Sequence, residues 1–232
     1  MELRNFTVLS FDCYGTLIDW DAGLAAQLHR IAPDLAEHDL LQRYAAIEAE
    51  IEHSHPTMLY RDIVATTATR LGKDLGIDVS PALAAEIGGS IGTWPPFPDS
   101  VQALADLKQC CALVVLSNVD RQSFAGSAAL LGDPFDAVLT AEEIGSYKPD
   151  RGNFEALMAH VDRIGGTGKH LHVAQSLFHD HVPAKALGLP TAWINRRSSK
   201  PGEGASGPTL DVAPDWEFPD MRSFAAALMA NN

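Results

Sequence analysis

The chain has 232 residues, 46% hydrophobic and 20% charged, which supplies ample material for an apolar core and excludes disordered, collagenous and coiled-coil architectures. Seventeen Lys and Arg against thirty Asp and Glu leave a net charge of −13, with no basic run on which a nucleic acid would dock. The three cysteines, Cys13 and the adjacent Cys110 and Cys111, cannot build an extracellular disulfide framework, and no apolar stretch approaches the roughly 18 residues of a membrane span.

The opening MELRNFTVLSFD carries charges at Glu2 and Arg4 and too short an apolar run for a signal peptide, so the expected setting is cytoplasmic. Val8 to Phe11 then reads as a short buried strand that delivers Asp12 at its C-terminal end, with Gly15 permitting the tight turn after it. From Asp19 the period becomes helical. Leu24, Leu28 and Ile31 space a first helix, and Leu40, Leu41, Tyr44, Ile47 and Ile51 a second. Leu59, Ile63, Thr67, Leu71 and Leu75 space a third, and Ser80-Pro81 caps a fourth carrying Leu83, Ile87 and Ile91. With no strand among them, these helices form a layer of their own.

Trp94-Pro95-Pro96-Phe97-Pro98 is a stiff return linker. After it, strand and helix alternate. Val101, Leu104 and Leu107 predict a helix, as do Phe154, Leu157 and Val161; a further helix runs from Val182 to Leu187 and closes at Gly188. Strands are expected at Leu113 to Leu116, Phe135 to Leu139, Leu171 to Ala174 and Thr191 to Ile194. The Gly/Ser/Pro-rich stretch 198–208 is expected to be a mobile surface loop. The alternation predicts an α/β fold, a doubly wound parallel sheet made by residues 1–18 and 96–232, with residues 19–95 inserted as a helical cap.

Ligands of such a sheet bind beyond the carboxyl ends of its strands. Those ends present Asp12, the pair Ser117-Asn118, Lys148 in SYKPD and Asp180 in QSLFHD. In this order they resemble the haloacid dehalogenase superfamily, whose Rossmann-like core opens with a signature that reads here as Phe11-Asp12-x-Tyr14-Gly15-Thr16-Leu17. The inserted helices resemble that superfamily's cap domain. Most members are magnesium-dependent phosphatases with a second Asp two residues after the first and another directly after the last functional strand. Those positions are Tyr14 and Gln175 in this chain, and a hard cation wants several carboxylate oxygens, so neither metal nor cofactor is expected.

The Asp-x-Tyr-Gly-Thr-Leu form is similar to the L-2-haloacid dehalogenase branch. That resemblance implies a small-molecule substrate, a short (S)-2-haloacid turned into the (R)-2-hydroxy acid. Asp12 would attack C2, expel halide and form an aspartyl ester that water hydrolyses. Lys148 would keep Asp12 ionised, and Asp180 would pair with Lys148 and help place the water. The resemblance assigns Ser117 and the amides near Cys13 and Tyr14 to the substrate carboxylate. It assigns Asn118 and a cap arginine to the halide, with Arg43 slightly preferred to Arg61 on helical spacing.

Where the branch commonly has a Ser, an Asn and an aromatic residue in its last signature, this chain has Gln175, Leu177 and His179; Gln175, Ser176 and His179 are expected at the substrate. His179 and His181, two residues apart, face different directions and make no metal pair; one is expected in the pocket and the other in solvent. Given the charge of −13, an anionic substrate has to be drawn by Lys148, a cap arginine and helix N-termini. Another leaving group, as in fluoroacetate or a strained cyclic 2-amino acid, and a magnesium-dependent phosphohydrolase are the competing readings. Apolar cap faces around Met58 and Tyr60 suit either a homodimer or packing within the cap.

Overall fold

Residues 2–196 and 212–230 are described by the structure, a computed structural model; the predicted loop at 198–208 lies outside them. Six strands, β1 (Val8–Phe11), β2 (Ala112–Ser117), β3 (Ala137–Thr140), β4 (His170–Ala174), β5 (Thr191–Ile194) and β6 (Trp216–Phe218), form one sheet in the order β3-β2-β1-β4-β5-β6. All pairs are parallel, with Phe11 beside Val115 on one side and Val173 on the other. The chain turns to opposite sides of β1, so the segments leaving β1, β2 and β4 open a crevice at a topological switch point.

Four helices lie between β1 and the proline-rich linker at 94–98: α1 (Trp20–Leu28), α2 (Glu37–Ser54), α3 (Tyr60–Asp74) and α4 (Pro81–Gly89). The stripe expected on α2 is the stripe it buries, Leu40, Leu41, Tyr44, Ile47 and Ile51. Ser80 caps α4 by accepting from the Leu83 amide at 3.2 Å. The remaining helices, α5 (Ser100–Leu107), α6 (Arg121–Leu130), α7 (Ala141–Ile144), α8 (Arg151–Arg163), α9 (Val182–Ala186) and α10 (Met221–Met229), flank the sheet.

Period-two alternation divides the strand side chains between two apolar clusters. Leu9, Phe11, Leu171 and Val173 join a cluster that runs without a break into the cap through Leu24, Tyr44 and Trp94. Val8, Val114 and Leu116 pack with Phe154, Leu157 and Val161 of α8 on the opposite face. The two linkers run side by side: Ile18 bridges Pro96, and the Asp19 amide donates to Pro95 O at 2.8 Å. Arg196 fastens this neck, bonding Asp99 Oδ1 and Thr16 O, each at 2.7 Å, with its guanidinium 4.0 Å above the Phe97 ring.

Several expectations need correcting. Val101 faces outward, 42% exposed, because α5 buries Ser100, Ala103, Leu104 and Leu107 instead. Strand β3 starts two residues late, since Phe135 turns aside to pack on Phe124. Met58 and Tyr60 are packed inside, Tyr60 being buried and Met58 lying against the core cluster, so they offer no exposed apolar face. Helices α6 and α7 and strand β6 carry patterns too weak or short for the sequence reading, which also missed α10, although Met221, Phe224, Ala225 and Leu228 give it a buried stripe at helical spacing.

One close approach joins cap and core. A Cβ on Gly126 of α6 would lie 2.5 Å from Gly92 O in the turn that follows α4. Gly126→Val is therefore expected to cost about 2 kcal/mol, lowering the melting temperature by roughly 4–8 °C, as read by thermal denaturation.

Candidate active site

The carboxyl ends of the strands bring three charged groups together under the cap. Lys148 Nζ lies 2.9 Å from Asp12 Oδ1 and 2.7 Å from Asp180 Oδ1, with all three side chains buried. Asp12 leaves β1, Lys148 follows α7, and Asp180 sits in a single π-helical turn, Leu177–His181, that links β4 to α9. Thr16 completes the nucleus. Its hydroxyl donates to Asp12 Oδ2 at 2.6 Å and accepts from the Gln175 amide at 2.9 Å, tying the loop after β1 to the loop after β4.

Burial pushes the Lys148 ammonium towards neutrality, but the carboxylates of Asp12 and Asp180 outweigh it and hold the amine charged. Burial and the neighbouring Asp180 charge raise Asp12, against the opposing pull of Lys148 and Thr16. Burial also works against Asp180, yet Lys148 and His172 hold that carboxyl well below the usual carboxylate range. The pair is thus asymmetric: Asp180 is the firmly ionised member and Asp12 the one whose charge depends on Lys148.

A buried polar track extends from this centre along the β1 and β4 face away from the cap. His172 Nε2 is 3.0 Å from Asp180 Oδ1, His172 Nδ1 is 2.8 Å from Ser10 Oγ, and Ser10 Oγ is 2.7 Å from His170 Nε2. An ionised Asp180 only accepts, so His172 Nε2–H donates to it. Ser10 Oγ thus joins the two rings, within hydrogen-bond distance of both His172 Nδ1 and His170 Nε2. Burial drives His170 down to about 3, consistent with a neutral ring at the end of this chain.

The cavity above Asp12 measures about 100 Å³. Of the residues expected at the substrate, Tyr14, Ser117, Asn118, Ser176 and His179 line it along with Asp12, Lys148 and Asp180. A wider outer cavity of about 470 Å³, walled by His53, Tyr147 and Phe178, shares Glu52, Lys148 and His179 with it and leads outward.

Other expected residues lie elsewhere or do different work. Arg43 is exposed on α2 and does not line the cavity, because its neighbour Tyr44 is the residue α2 turns inward. Arg61 does not line it either; it faces Gln122 and lies 3.7 Å from Asp120, the N-cap of α6, in a cap-to-core contact. The Cys13 side chain is wholly buried in the core. Gln175 is held through its backbone, with its carbonyl accepting from Trp193 at 2.9 Å, and its side chain is not among the lining groups. Asn118 lines the cavity, yet its amide clamps the Lys148 backbone, accepting from the Lys148 amide at 2.6 Å and donating to the carbonyl at 3.1 Å. His181 is not solvated; it is buried and its Nε2 donates to Ala174 O at 3.0 Å.

A haloacid dehalogenase-like hydrolase profile matches residues 6–170. The chain belongs to that family. This haloacid dehalogenase-like hydrolase is 27% identical over 207 residues to (S)-2-haloacid dehalogenase 1 of Pseudomonas sp. strain CBS-3, covering 85% of this chain and 88% of that one. It is 28% identical over 154 residues to the (S)-2-haloacid dehalogenase of Pseudomonas sp. strain YL, covering 65% of this chain and 62% of that enzyme, so this match spans less than two thirds of the relative's length. Its fold is that of the L-2-haloacid dehalogenase of Xanthobacter autotrophicus solved with chloropropionic acid covalently bound, with a TM-score of 0.80 at 20% identity over 95% of this chain and 97% of that one.

Sequence reasoning missed the groups that this hydrolase's cap supplies to the cavity, Glu48, Glu52 and Tyr60. A signal was available: Glu48 and Glu52 stand four and eight residues beyond Tyr44 on α2, near the stripe already read as buried. The track of Ser10, His170 and His172 was also legible, since these residues fall on one face of paired strands.

Proposed function

We propose that the protein hydrolyses the carbon–halogen bond of short (S)-2-haloacids, with Asp12 as nucleophile and without a metal. The observation that carries this reading is Lys148 bridging Asp12 and Asp180 at the floor of a small cavity. An Asp12 carboxylate oxygen gives an electron pair to C2 as the C–X bond breaks, halide leaves, and C2 inverts. Water then adds at the Asp12 carboxyl carbon, releasing the (R)-2-hydroxy acid and a proton and restoring the carboxylate. Asp180 Oδ2, buried without a protein hydrogen bond, is available to orient that water. Ser117 Oγ, 2% exposed and likewise unpartnered at the cavity, is available to the substrate carboxylate.

The residues do not fit a divalent cation. Among the described residues no cluster of three His, Cys, Asp or Glu side chains is arranged as a metal site. The two carboxylates that such an ion would take share the ammonium of Lys148, while Tyr14 is turned aside to bond Ser127 Oγ at 2.7 Å. A phosphate ester would face Asp12 and Asp180 with that single cation to offset its charge. The small cavity also favours a ligand of a few heavy atoms. The relatives named (S)-2-haloacid dehalogenase support the same choice of reaction.

The test is halide release from (S)-2-chloropropionate, with the (R)-isomer and p-nitrophenyl phosphate as controls, each with EDTA and with magnesium. The expected result is chloride release from the (S)-isomer that EDTA does not reduce. Magnesium-dependent phosphate release without chloride would overturn the proposal.

A further inference from the structure

Among the described residues no Lys or Arg of the cap lines the cavity, and two carboxyls of the cap stand there instead. Helix α2 presents Glu48 and Glu52, one turn apart, to the space above Asp12. Tyr60 Oη donates to Glu48 Oε1 at 2.8 Å while accepting from Trp20 Nε1 at 3.3 Å, so the cap itself fixes the Glu48 carboxyl. Glu52 has neither a hydrogen-bond nor an ion-pair partner among the described residues, and it lines the outer cavity as well as the inner one.

The charges of this space do not balance. The ammonium of Lys148 is shared by Asp12 and Asp180, which leaves one negative charge over before the cap is counted. Burial raises Glu48 to about 7 against the hydrogen bond from Tyr60, and burial together with the Glu48 charge raises Glu52 well above the usual range. Both carboxyls behave as groups that lack a counter-charge. A plain 2-haloacid brings a further negative charge and nothing to offset it; a ligand carrying an ammonium supplies the missing cation. Tyr14 and Tyr60 add aromatic rings to the lining, which suit an organic cation.

Independent features indicate that a polar ligand meets this space. Ser117 Oγ, 2% exposed, and Asp180 Oδ2, also buried, lie at the cavity wall with no protein partner. Ser117 comes from the end of β2 and the two glutamates from the cap, so a ligand that spans them offers an acceptor to the core and a cation to the cap.

We propose that the substrate is a 2-haloacid bearing a protonated amine on C3, whose ammonium is bound by Glu48 and Glu52 while Ser117 takes its carboxylate. The inference deepens the dehalogenase reading and rests on it. Asp12 forms its bond to C2 as the C–Cl bond breaks, and chloride leaves with the bonding pair. One water adding at the Asp12 carboxyl carbon then releases (R)-3-amino-2-hydroxypropionate and a proton and restores the carboxylate. The amine makes and breaks no bond. Held at both ends, the substrate keeps C2 in front of the nucleophile.

The experiment compares chloride release from (S)-3-amino-2-chloropropionate, protonated on nitrogen at pH 7, with release from (S)-2-chlorobutyrate, in which a methyl replaces the ammonium. (S)-2-Chloropropionate is the reference, and each acid is corrected for an enzyme-free blank. The wild type is expected to favour the aminated acid over the butyrate at least about ten-fold in kcat/KM, the scale of one hydrogen bond to a charged group. Glu52→Gln, which removes a carboxylate that no other side chain uses, is expected to lower that ratio at least about five-fold. Glu48→Gln, which keeps the contact with Tyr60, should lower it too. A merely structural disturbance slows both acids alike and leaves the ratio where it was. A wild type that handles the butyrate as well as the aminated acid, or a ratio unmoved by Glu52→Gln, overturns the ammonium site while the dehalogenase reading stands. Chloride from none of the three acids overturns that reading, and the inference with it.

Discussion

Asp12→Asn is expected to abolish halide release, lowering kcat by at least about 10⁴-fold, because an amide has neither the charge nor the free lone-pair density to displace halide from carbon. The fold should survive. Lys148 keeps Asp180 at 2.7 Å, and Thr16 retains the Gln175 amide at 2.9 Å, so the loops around the site remain anchored. A second readout tests the covalent step itself. In a single turnover in oxygen-18-labelled water, hydrolysis at the carboxyl carbon leaves the label in the Asp12 carboxylate; direct attack of water on C2 would place it in the hydroxy acid. Intact-mass analysis must show that the Asn has not reverted to Asp by deamidation. A variant that remains Asn and still turns over would remove Asp12 from the mechanism.

The elements that fix Asp12 were the most legible in the sequence. β1 is an apolar run bounded by polar residues, and its centre in the sheet follows from burial on both faces. The α2 stripe was equally clear, since large aliphatic and aromatic residues recur at helical spacing. By contrast, α6 buries Phe124 with Ser123, Ser127 and Ala128, and such small side chains leave no hydrophobic period to read.

The cap arginine failed for a different reason. Helical spacing says which residues share a face but not which direction the helix turns when it docks, and α2 turns the side bearing Tyr44 and Glu48 inward, leaving Arg43 outside. Asp180 lies 2.7 Å from Lys148, but the turn that carries it was not read from the sequence. A π-helical turn has no distinctive residue pattern, and here its wider winding carries Asp180 into the interior between Lys148 and His172.

Lys148→Met, which keeps the aliphatic stem and removes the charge, is expected to lower kcat/KM at neutral pH by about 10³-fold while altering how both activity and stability depend on pH. Asp12 and Asp180 would then face each other in a buried site without a cation. Asp180 keeps the hydrogen bond from His172 at 3.0 Å, so Asp12 is the partner that takes up a proton, and a protonated Asp12 is no nucleophile. Activity should therefore return as the pH is raised. Stability should move the other way. A carboxyl whose pKa is higher in the folded than in the unfolded state binds more protons when folded, so stability falls as pH rises from about 4, the unfolded value, through the raised folded one. A pH–rate profile rising to the alkaline side together with a urea midpoint falling over the same interval would identify Lys148 as the group that keeps Asp12 ionised. If activity and stability instead fell in parallel across that interval, Lys148 would be holding the fold rather than the charge of Asp12.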